Sequence, residues 1–236
     1  MKSIQGRWGE TFFIENDLFI APSLINYGEF SPDETETIIK LAEEAGKDKL
    51  CLDIGANFGC ISQALEYNGF ICEAFEPQPD VFAVTGKNVM GRVHNTALGE
   101  VMGTMKMAKF DPNAKTSNYG GLSVNTTSKF GEYDVSIIPL DALCLDNIGF
   151  MKIDVEGSEL NVLKGAKETI ERCRPIMYIE DDRKELSPML RKYLWDIDYA
   201  TKLDYPSLFR KDNFFKNEKS IWKQDVRSLN LICRPL

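Results

Sequence analysis

From residue 50 onward, apolar runs that favour β-strands alternate with amphipathic runs that favour helices. This alternation is typical of a parallel sheet with helices on both faces, because parallel strands need crossover connections. A chain of 236 residues is long enough for one such domain. The sequence therefore predicts an α/β fold with a mostly parallel seven-stranded sheet whose last strand is antiparallel. The strands are expected at 50–54, 70–76, 93–98, 151–155, 176–179 and 228–233, and the helices at 58–67, 80–90, 158–172 and 185–195.

The first 46 residues have a different pattern. Two β-prone runs, at 11–14 and 18–21, predict a β-hairpin. Ser31 and Pro32 then open an amphipathic stretch that predicts a helix up to residue 44, with Ser31 as N-cap and Glu34 closing a capping box. We expect residues 1–46 to form a hairpin and helix, and 47–236 to form the main domain in one compact unit with them.

Composition excludes several classes of protein. The formal charge of −8 argues against a nucleic-acid partner, because proteins that bind phosphate backbones carry basic patches. The chain has no apolar run long enough to span a membrane, and its first residues lack the apolar core of a secretion signal. Six scattered cysteines predict reduced thiols and a cytoplasmic location, and the single histidine argues against a classical zinc site. No metal is expected, because the sequence shows no evident set of ligands.

A glycine-containing turn follows the first strand of the main domain. Asp53 ends the strand, and the turn comprises Gly55, Ala56, Asn57, Phe58 and Gly59. In doubly wound sheets, ligands bind beyond the carboxyl ends of the strands. Dinucleotides normally require G-x-G-x-x-G, whereas Asn57 stands here at the second glycine position. The carboxylate of Asp53 would also repel a pyrophosphate but attract an ammonium group, which favours S-adenosylmethionine (SAM) over a nicotinamide dinucleotide.

A second acidic residue ends the next strand. Glu76 is followed by Pro77, and a carboxylate at this position can accept hydrogen bonds from both hydroxyls of a ribose. Thr96 and Ala97, at the end of the third strand, are expected to lie beside the adenine ring. Each acid taken alone is also consistent with a solvated strand end, but the two together predict a cofactor site.

Three charged residues alternate along the fourth predicted strand. Lys152, Asp154 and Glu156 would point to one side, where burial without partners is costly. Asp154 is the first candidate for a catalytic residue beside both the methyl group and the cofactor. Glu156 is expected to bind substrate or hold the loop, and Glu180, after the fifth strand, to orient a sugar hydroxyl. The alternative is an internal salt-bridge cluster.

A long polar segment interrupts the alternation. Residues 111–127 are rich in Asn, Gly, Ser and Thr and lie between β-prone runs at 104–109 and 134–139. Loops of this length inside a compact domain are usually functional. We expect a lid over the substrate, with a surface insertion as the alternative.

Five segments resemble the FkbM family of SAM-dependent methyltransferases, over about residues 27–181: LDIGANFG, FEP, NTALGE, IPLD and MKIDVEGSELNVLKGA. The resemblance implies a Rossmann-like class I methyltransferase fold with SAM as cofactor. It also implies an O-methyltransferase, and we expect the acceptor to be a hydroxyl of a sugar or glycan. O-methylation of a polyketide or other secondary metabolite, and a non-catalytic SAM-binding module, are the alternatives.

Overall fold

A seven-stranded sheet forms the centre of the fold in the computed structural model, which describes residues 1–111, 114–121 and 128–236. The described strands are β1 (Lys2–Gly6), β2 (Gly9–Phe13), β3 (Leu50–Ile54), β4 (Ile71–Phe75), β5 (Arg92–His94), β6 (Ala97–Leu98), β7 (Gly103–Ala108), β8 (Glu132–Ile138), β9 (Ile148–Ile153), β10 (Ile176–Glu180), β11 (Tyr199–Asp204) and β12 (Asn230–Pro235). The described α-helices are α1 (Ile20–Tyr27), α2 (Pro32–Ala45), α3 (Cys60–Tyr67), α4 (Pro79–Asn88), α5 (Glu159–Gly165), α6 (Lys167–Cys173) and α7 (Ser187–Asp196).

The order of the strands places a topological switch point at the centre of the sheet. The order is β11-β12-β10-β9-β3-β4-β5, and the five strands from β10 to β5 are parallel. The chain runs outward from β3 to β5 and then returns to β9 on the other side of β3. Ligands of doubly wound sheets bind at such a point. β12 runs antiparallel to β10, so the predicted mostly parallel sheet with an antiparallel last strand is confirmed.

Side chains of β3 alternate between two apolar layers, which explains why helices cover both faces. Leu52 and Ile54 pack in the layer that contains residues of α5, α6 and α7. Cys51 packs in the opposite layer, with residues of α2 and α3. The predicted arrangement of helices on both faces is therefore confirmed. None of the helices in the described parts of the chain combines the length and apolar character needed to cross a membrane.

The N-terminal hairpin differs from the predicted one. β1 pairs with β2, so residues 11–13 face residues 2–4 rather than 18–21. The run at 18–21 instead leads into α1, because the Oδ2 atom of Asp17 accepts hydrogen bonds from the backbone N–H groups of Phe19, Ile20 and Ala21. A buried carboxylate with three N–H donors stabilises a helix start, and this outweighs the β-propensity of the run.

Helix α2 begins at Pro32 as predicted, but the capping box is absent. Ser31 has a left-handed backbone (φ 42°), and its side chain makes no cap hydrogen bond. Ile38 and Leu41 of α2 pack on the central sheet beside Phe150 and Tyr178. The N-terminal segment therefore shares the core of the main domain, while the boundary between residues 46 and 47 stays a prediction.

The predicted strand at 93–98 divides into two short strands that belong to different sheets. β5 pairs with β4, whereas β6 pairs with β8 in a second sheet of order β6-β8-β7. Asn95 lies at the division and donates hydrogen bonds from its side chain to the carbonyl oxygens of Glu76 and Pro77 at 2.9 and 3.0 Å. The β-prone runs at 104–109 and 134–139 are confirmed as β7 and β8.

The predicted helix at 158–172 also divides, at Ala166. Asp141 starts the second half, α6, by accepting hydrogen bonds from the N–H groups of Glu168 and Thr169 at 3.0 and 2.8 Å.

The edge strand β11 was not predicted, because its pattern of one buried residue followed by mostly exposed ones lacks an apolar run. Parts of the predicted lid, residues 112–113 and 122–127, lie outside the described residues.

Substitution of Gly165 tests the close packing of α5 on the segment after β6. A Cβ on Gly165 would lie 1.9 Å from the carbonyl oxygen of Gly99, whereas a Cβ on Gly86 in α4 would meet no atom within 4 Å. We expect Gly165→Ala to lower the free energy of unfolding by about 1–3 kcal/mol. Gly86→Ala should leave it unchanged or raise it by up to about 1 kcal/mol. Urea denaturation of both variants measures this, and equal stability would contradict the packing described.

Candidate functional site

A cavity of about 500 Å³ lies at the carboxyl ends of β3, β4, β9 and β10. Its size and position are typical of small-molecule sites in doubly wound sheets. Most of the predicted site residues line it: Gly55, Ala56, Asn57, Phe58, Glu76, Pro77, Thr96, Ala97, Asp154, Glu156 and Glu180. Asp53 and Gly59 lie behind its wall. The structure thus brings the predicted cofactor and catalytic residues to one cavity.

The turn after β3 contains three residues with left-handed backbones: Gly55, Asn57 and Gly59. Gly55 has φ 82°, and a Cβ there would lie 1.8 Å from the carbonyl oxygen of Asp154, so only glycine fits. Asn57 has φ 49°, a conformation that asparagine tolerates better than most residues. This explains how asparagine occupies the position that a dinucleotide motif gives to glycine.

Glu76 joins the end of β4 to this turn. Its carboxylate accepts hydrogen bonds from the backbone N–H groups of Asn57 and Gln78, at 2.9 and 2.8 Å. Burial raises the pKa of Glu76 to about 7, although these hydrogen bonds oppose the change. The carboxylate therefore lies on the rim of the cavity and is held from two sides.

Asp53 is fully buried and supports the turn from below. Its Oδ2 atom accepts hydrogen bonds from the backbone N–H and the hydroxyl of Ser62, at 3.1 and 2.6 Å. Its Oδ1 atom lies 3.6 Å from the Nζ atom of Lys152. The predicted contact of Asp53 with a cofactor ammonium stays a prediction, since its carboxylate faces these two residues rather than the cavity.

Lys152 links the two central strands at the switch point. Its Nζ atom lies 3.1 Å from Asp154 Oδ2 and donates a hydrogen bond to the carbonyl oxygen of Gly55 at 3.3 Å. Burial lowers the pKa of Lys152, but the nearby carboxylates of Asp154 and Asp53 raise it by more. The pKa of Lys152 therefore lies above its usual value. The internal salt-bridge alternative therefore holds for Lys152 and Asp154, whereas Asp53, which it did not include, takes the place of Glu156.

The predicted strand at 151–155 ends earlier, at Ile153, which places Asp154 and Glu156 in the following loop. Glu156 has a left-handed backbone (φ 55°) and pairs with the guanidinium of Arg183. Burial and the neighbouring Asp154 raise the pKa of Glu156 to about 7, while Arg183 lowers it. The side chain of Glu159 holds the loop by accepting hydrogen bonds from the N–H groups of Val155 and Gly157.

Three carboxyl groups meet at the end of β9 and β10. Asp154, Glu156 and Glu180 each place an oxygen within 4.8 Å of the other two. Burial, together with Asp154 and Glu156, raises the pKa of Glu180 strongly, so this group is protonated at neutral pH. The sequence predicts no metal ligands, and these three groups would suit a hard cation such as Mg²⁺ only when all of them are ionised.

Glu34 also lines the cavity, although its place in the sequence suggests only a capping box. It projects from the first turn of α2 into the cavity and is only 8% exposed. Glu34 shares the buried face of α2 with Ile38 and Leu41. A charged residue at helical spacing from apolar core residues is the sequence signal that would have found it.

The described part of the long polar segment lines the same cavity. Asn118, Tyr119, Gly120 and Gly121 contribute to its wall. The ring of Tyr119 lies 3.9 Å from that of Phe110 and 6.1 Å from that of Phe58, measured between centroids. Closure of this segment as a lid stays a prediction.

The cavity has an apolar end that suits an adenine ring. Leu98, Met105, Met107 and Ile137, from the second sheet, line this end next to Thr96 and Ala97. The Nε2 atom of Gln78, which also lines the cavity, is buried without a hydrogen-bond partner among the described residues. An apolar end beside a carboxylate that can accept hydrogen bonds from hydroxyls fits an adenosyl group.

Comparison with known proteins gives a consistent result. Residues 53–201 match the model of the Methyltransferase FkbM domain. A hexuronic acid methyltransferase, AglP, of Haloferax volcanii is 30% identical over 151 residues. That alignment spans 58% of this chain and 58% of the relative, so this chain covers less than two thirds of the relative's length.

Two solved structures share the fold. The methyltransferase FkbM of Methylobacillus flagellatus KT is 19% identical with a TM-score of 0.51, over 78% of this chain and 43% of that one. The precorrin-6y C5,15-methyltransferase of Geobacter metallireducens GS-15 is 11% identical with a TM-score of 0.50, over 85% of each chain. At these identities the likeness concerns the fold alone, and it confirms the predicted class I methyltransferase architecture.

The buried carboxyl group of Glu34 generates a prediction about pH and stability. Burial raises its pKa to about 7, against the opposing charge of Lys152 and in the same direction as Asp154 and Asp204. The folded state therefore binds this proton more tightly than the unfolded state, in which the pKa is about 4.5. The free energy of unfolding falls as the pH rises from 4.5 to 7, because the folded state must then bury a charged carboxylate. Glu34→Gln should remove this loss.

We therefore expect the stability of Glu34→Gln relative to wild type to increase by about 2–3 kcal/mol between pH 5 and pH 8. Urea denaturation at the two pH values measures the difference. Glu43→Gln, at an exposed position of the same helix, is the control and should follow wild type. A difference that does not change with pH would show that Glu34 is not held in the environment described.

Proposed function

Because this chain belongs to the FkbM family of methyltransferases, we propose that it transfers a methyl group from SAM to a hydroxyl of a sugar or glycan. The observation that carries the proposal is one continuous cavity that joins the Glu76 rim to the carboxyl groups of Asp154, Glu156 and Glu180. The first region fits an adenosyl group and the second can act on an acceptor hydroxyl. The sugar-modifying relative supports the class of acceptor.

Membership of the family confirms three of the expectations drawn from the sequence. The chain is a member of the predicted family, the enzyme class is that of SAM-dependent methyltransferases, and the cofactor is SAM. The acceptor and the atom that receives the methyl group belong to the proposal.

Residues of the first region would hold the cofactor. Glu76 accepts from the ribose hydroxyls, and the apolar side chains of Leu98, Met105 and Ile137 contact the adenine ring. The turn at Gly55–Asn57 lies between these residues and Asp154, so it borders the methionine part. The bound cofactor supplies an activated methyl group on a sulfonium, and alignment of the acceptor is then the main task of the protein.

The second region would position and deprotonate the acceptor hydroxyl. Glu156 suits the role of general base, because a pKa of about 7 allows it to accept a proton at neutral pH. Asp154 is held by Lys152 and orients the hydroxyl. Glu180, protonated through burial, donates a hydrogen bond to an acceptor oxygen.

The assignment of Glu76 is tested by cofactor binding. Glu76→Gln keeps the shape of the side chain but replaces one acceptor oxygen by a donor group. We expect calorimetry to show SAM affinity reduced by a factor of about 30 or more, which corresponds to about 2 kcal/mol for a charge-assisted hydrogen bond. Glu43→Gln should bind like wild type. Unchanged affinity of a folded Glu76→Gln protein would remove this assignment.

The reaction itself is tested by methyl transfer. The protein is incubated with methyl-labelled SAM and a panel of methyl glycosides, and mass spectrometry locates the label. We expect label on a sugar oxygen, and a fall in kcat of about 100-fold for Glu156→Gln with SAM binding retained. In wild type, kcat should rise as the pH passes about 7, because Glu156 becomes ionised. Absence of this rise in Glu156→Gln would identify Glu156 as the base. Label found on no sugar would overturn the proposed acceptor class.

A further inference from the structure

The part of the cavity beyond β9 and β10 is rich in carboxyl groups. We call it the acceptor half, and define it by the carboxyl groups of Glu34, Asp154, Glu156, Glu180 and Asp182 together with the basic side chains of Lys152 and Arg227. These acids come from three separate parts of the chain: α2, the loop after β9, and the end of β10 with the residues that follow it. The excess of acids is thus a property of the cavity rather than of one loop.

The two basic side chains of the acceptor half are already engaged with groups of the protein. Lys152 is 6% exposed and is held by Asp53, Asp154 and the carbonyl oxygen of Gly55. Arg227 donates hydrogen bonds from Nε to Asp225 at 2.6 Å and from a terminal nitrogen to the carbonyl oxygen of Tyr205 at 2.8 Å. Within the described lining, a ligand carboxylate would therefore meet cations whose charge is already compensated.

Burial increases the effect of these charges. Glu34 is 92% buried, and interactions between charges are stronger where water is excluded. An additional carboxylate would have to lose its hydration and then face Glu34, Asp154 and Asp182. Asp154 lies 3.1 Å from Lys152 and Asp182 lies 3.2 Å from Arg183, so the charge of Glu34 contributes most to the repulsion. Like-charge contacts of this kind are a common basis for rejecting a ligand.

Hydroxyl groups, by contrast, match the donor and acceptor character of the acceptor half. Ionised carboxylates only accept hydrogen bonds, and sugar hydroxyls donate them. Ser158, Asn161 and Asn230, which line the same region, can both donate and accept. A polyhydroxylated ring without an acidic group can therefore be satisfied on several sides.

We propose that this enzyme methylates a neutral or amino sugar and that its acceptor half excludes hexuronic acids. The inference rests on the proposed function and narrows it to sugars that carry no carboxylate. The proposed acceptor therefore differs from the hexuronic acid named for the 30% identical relative. Glu34, supplied by α2 from outside the matched residues 53–201, is a specificity-determining residue in this account.

Matched pairs of acceptors test the proposal. Each pair is a methyl hexoside and the corresponding methyl hexuronide, in the gluco, galacto and manno series, so the members of a pair differ only in the CH₂OH or carboxylate group. The 2-amino-2-deoxy form of each hexoside is assayed alongside. Transfer from labelled SAM is measured at pH 8, where Glu34 and Glu156, with pKa values of about 7, are mostly ionised.

In the series whose sugar is the best acceptor, we expect kcat/KM for the hexoside or its amino form to exceed kcat/KM for the matching hexuronide. The expected ratio is about tenfold or more, equivalent to about 1.4 kcal/mol. Glu34→Gln should reduce this ratio at least about threefold by raising activity on the hexuronide, while the exposed Glu43→Gln leaves it unchanged. If Glu34→Gln fails to fold, inhibition of wild type by free glucose and glucuronate gives the same comparison, with glucuronate expected to be the weaker inhibitor.

The possible failures are distinguishable. Methylation of a hexuronide at a rate equal to or above that of its neutral partner would overturn this inference and leave the proposed function intact. A ratio that Glu34→Gln does not alter would overturn the assignment of Glu34. Transfer to none of the sugars, with SAM still bound, would overturn the proposed acceptor class and this inference with it.

Discussion

The site depends on the ion pairs of the buried Lys152 ammonium group. This group lies between the carboxylates of Asp53 and Asp154 and donates to the carbonyl oxygen of Gly55, so it joins β3, β9 and the glycine turn. Removing one partner of a buried ion pair leaves an uncompensated charge and is strongly destabilising. Each of these residues therefore constrains the position of the others. In the proposed function, the same cation fixes both the turn that would border the cofactor and the carboxylate that would meet the acceptor.

This arrangement divides the cavity into two regions with different chemistry. On the β4 side, Glu76 is held by backbone N–H groups and lies next to an apolar end formed by the second sheet. On the β10 side, Glu156 and Glu180 have raised pKa values because burial and neighbouring acids disfavour their ionised forms. Perturbed carboxyl groups in a cleft are typical of functional sites. In the proposed function, cofactor binding and proton transfer would therefore lie at opposite sides of the switch point.

Much of the fold was predictable because the signals were local. β3 has the predicted bounds, and Glu76 was placed correctly at the carboxyl end of its strand because parallel strands end at one edge of the sheet. The glycine turn was predicted from five consecutive residues. Errors arose where a polar side chain outside the apolar pattern decided the structure, as Asp17 does by capping α1 and Asp141 by starting α6.

Tertiary contacts explain what the sequence did not reveal about the site. Asp53 looked like a cofactor ligand, but its carboxylate is directed to Ser62 and Lys152, which only the packed structure brings together. Glu34 looked like part of a capping box, yet it lines the cavity across from β9. A residue that reaches a site from a separate element gives only a weak sequence signal. For Glu34 this signal is one acidic residue on the apolar face of α2.

The central claim is that one cavity holds the adenosyl group at Glu76 and presents the methyl group to the carboxyl cluster. The most direct test is a crystal structure of the protein with S-adenosylhomocysteine, the product of the cofactor. The account predicts ribose hydroxyls at hydrogen-bonding distance from the Glu76 carboxylate and a sulfur atom directed toward Asp154 and Glu156. A nucleoside bound elsewhere, or a sulfur directed away from these acids, would contradict it.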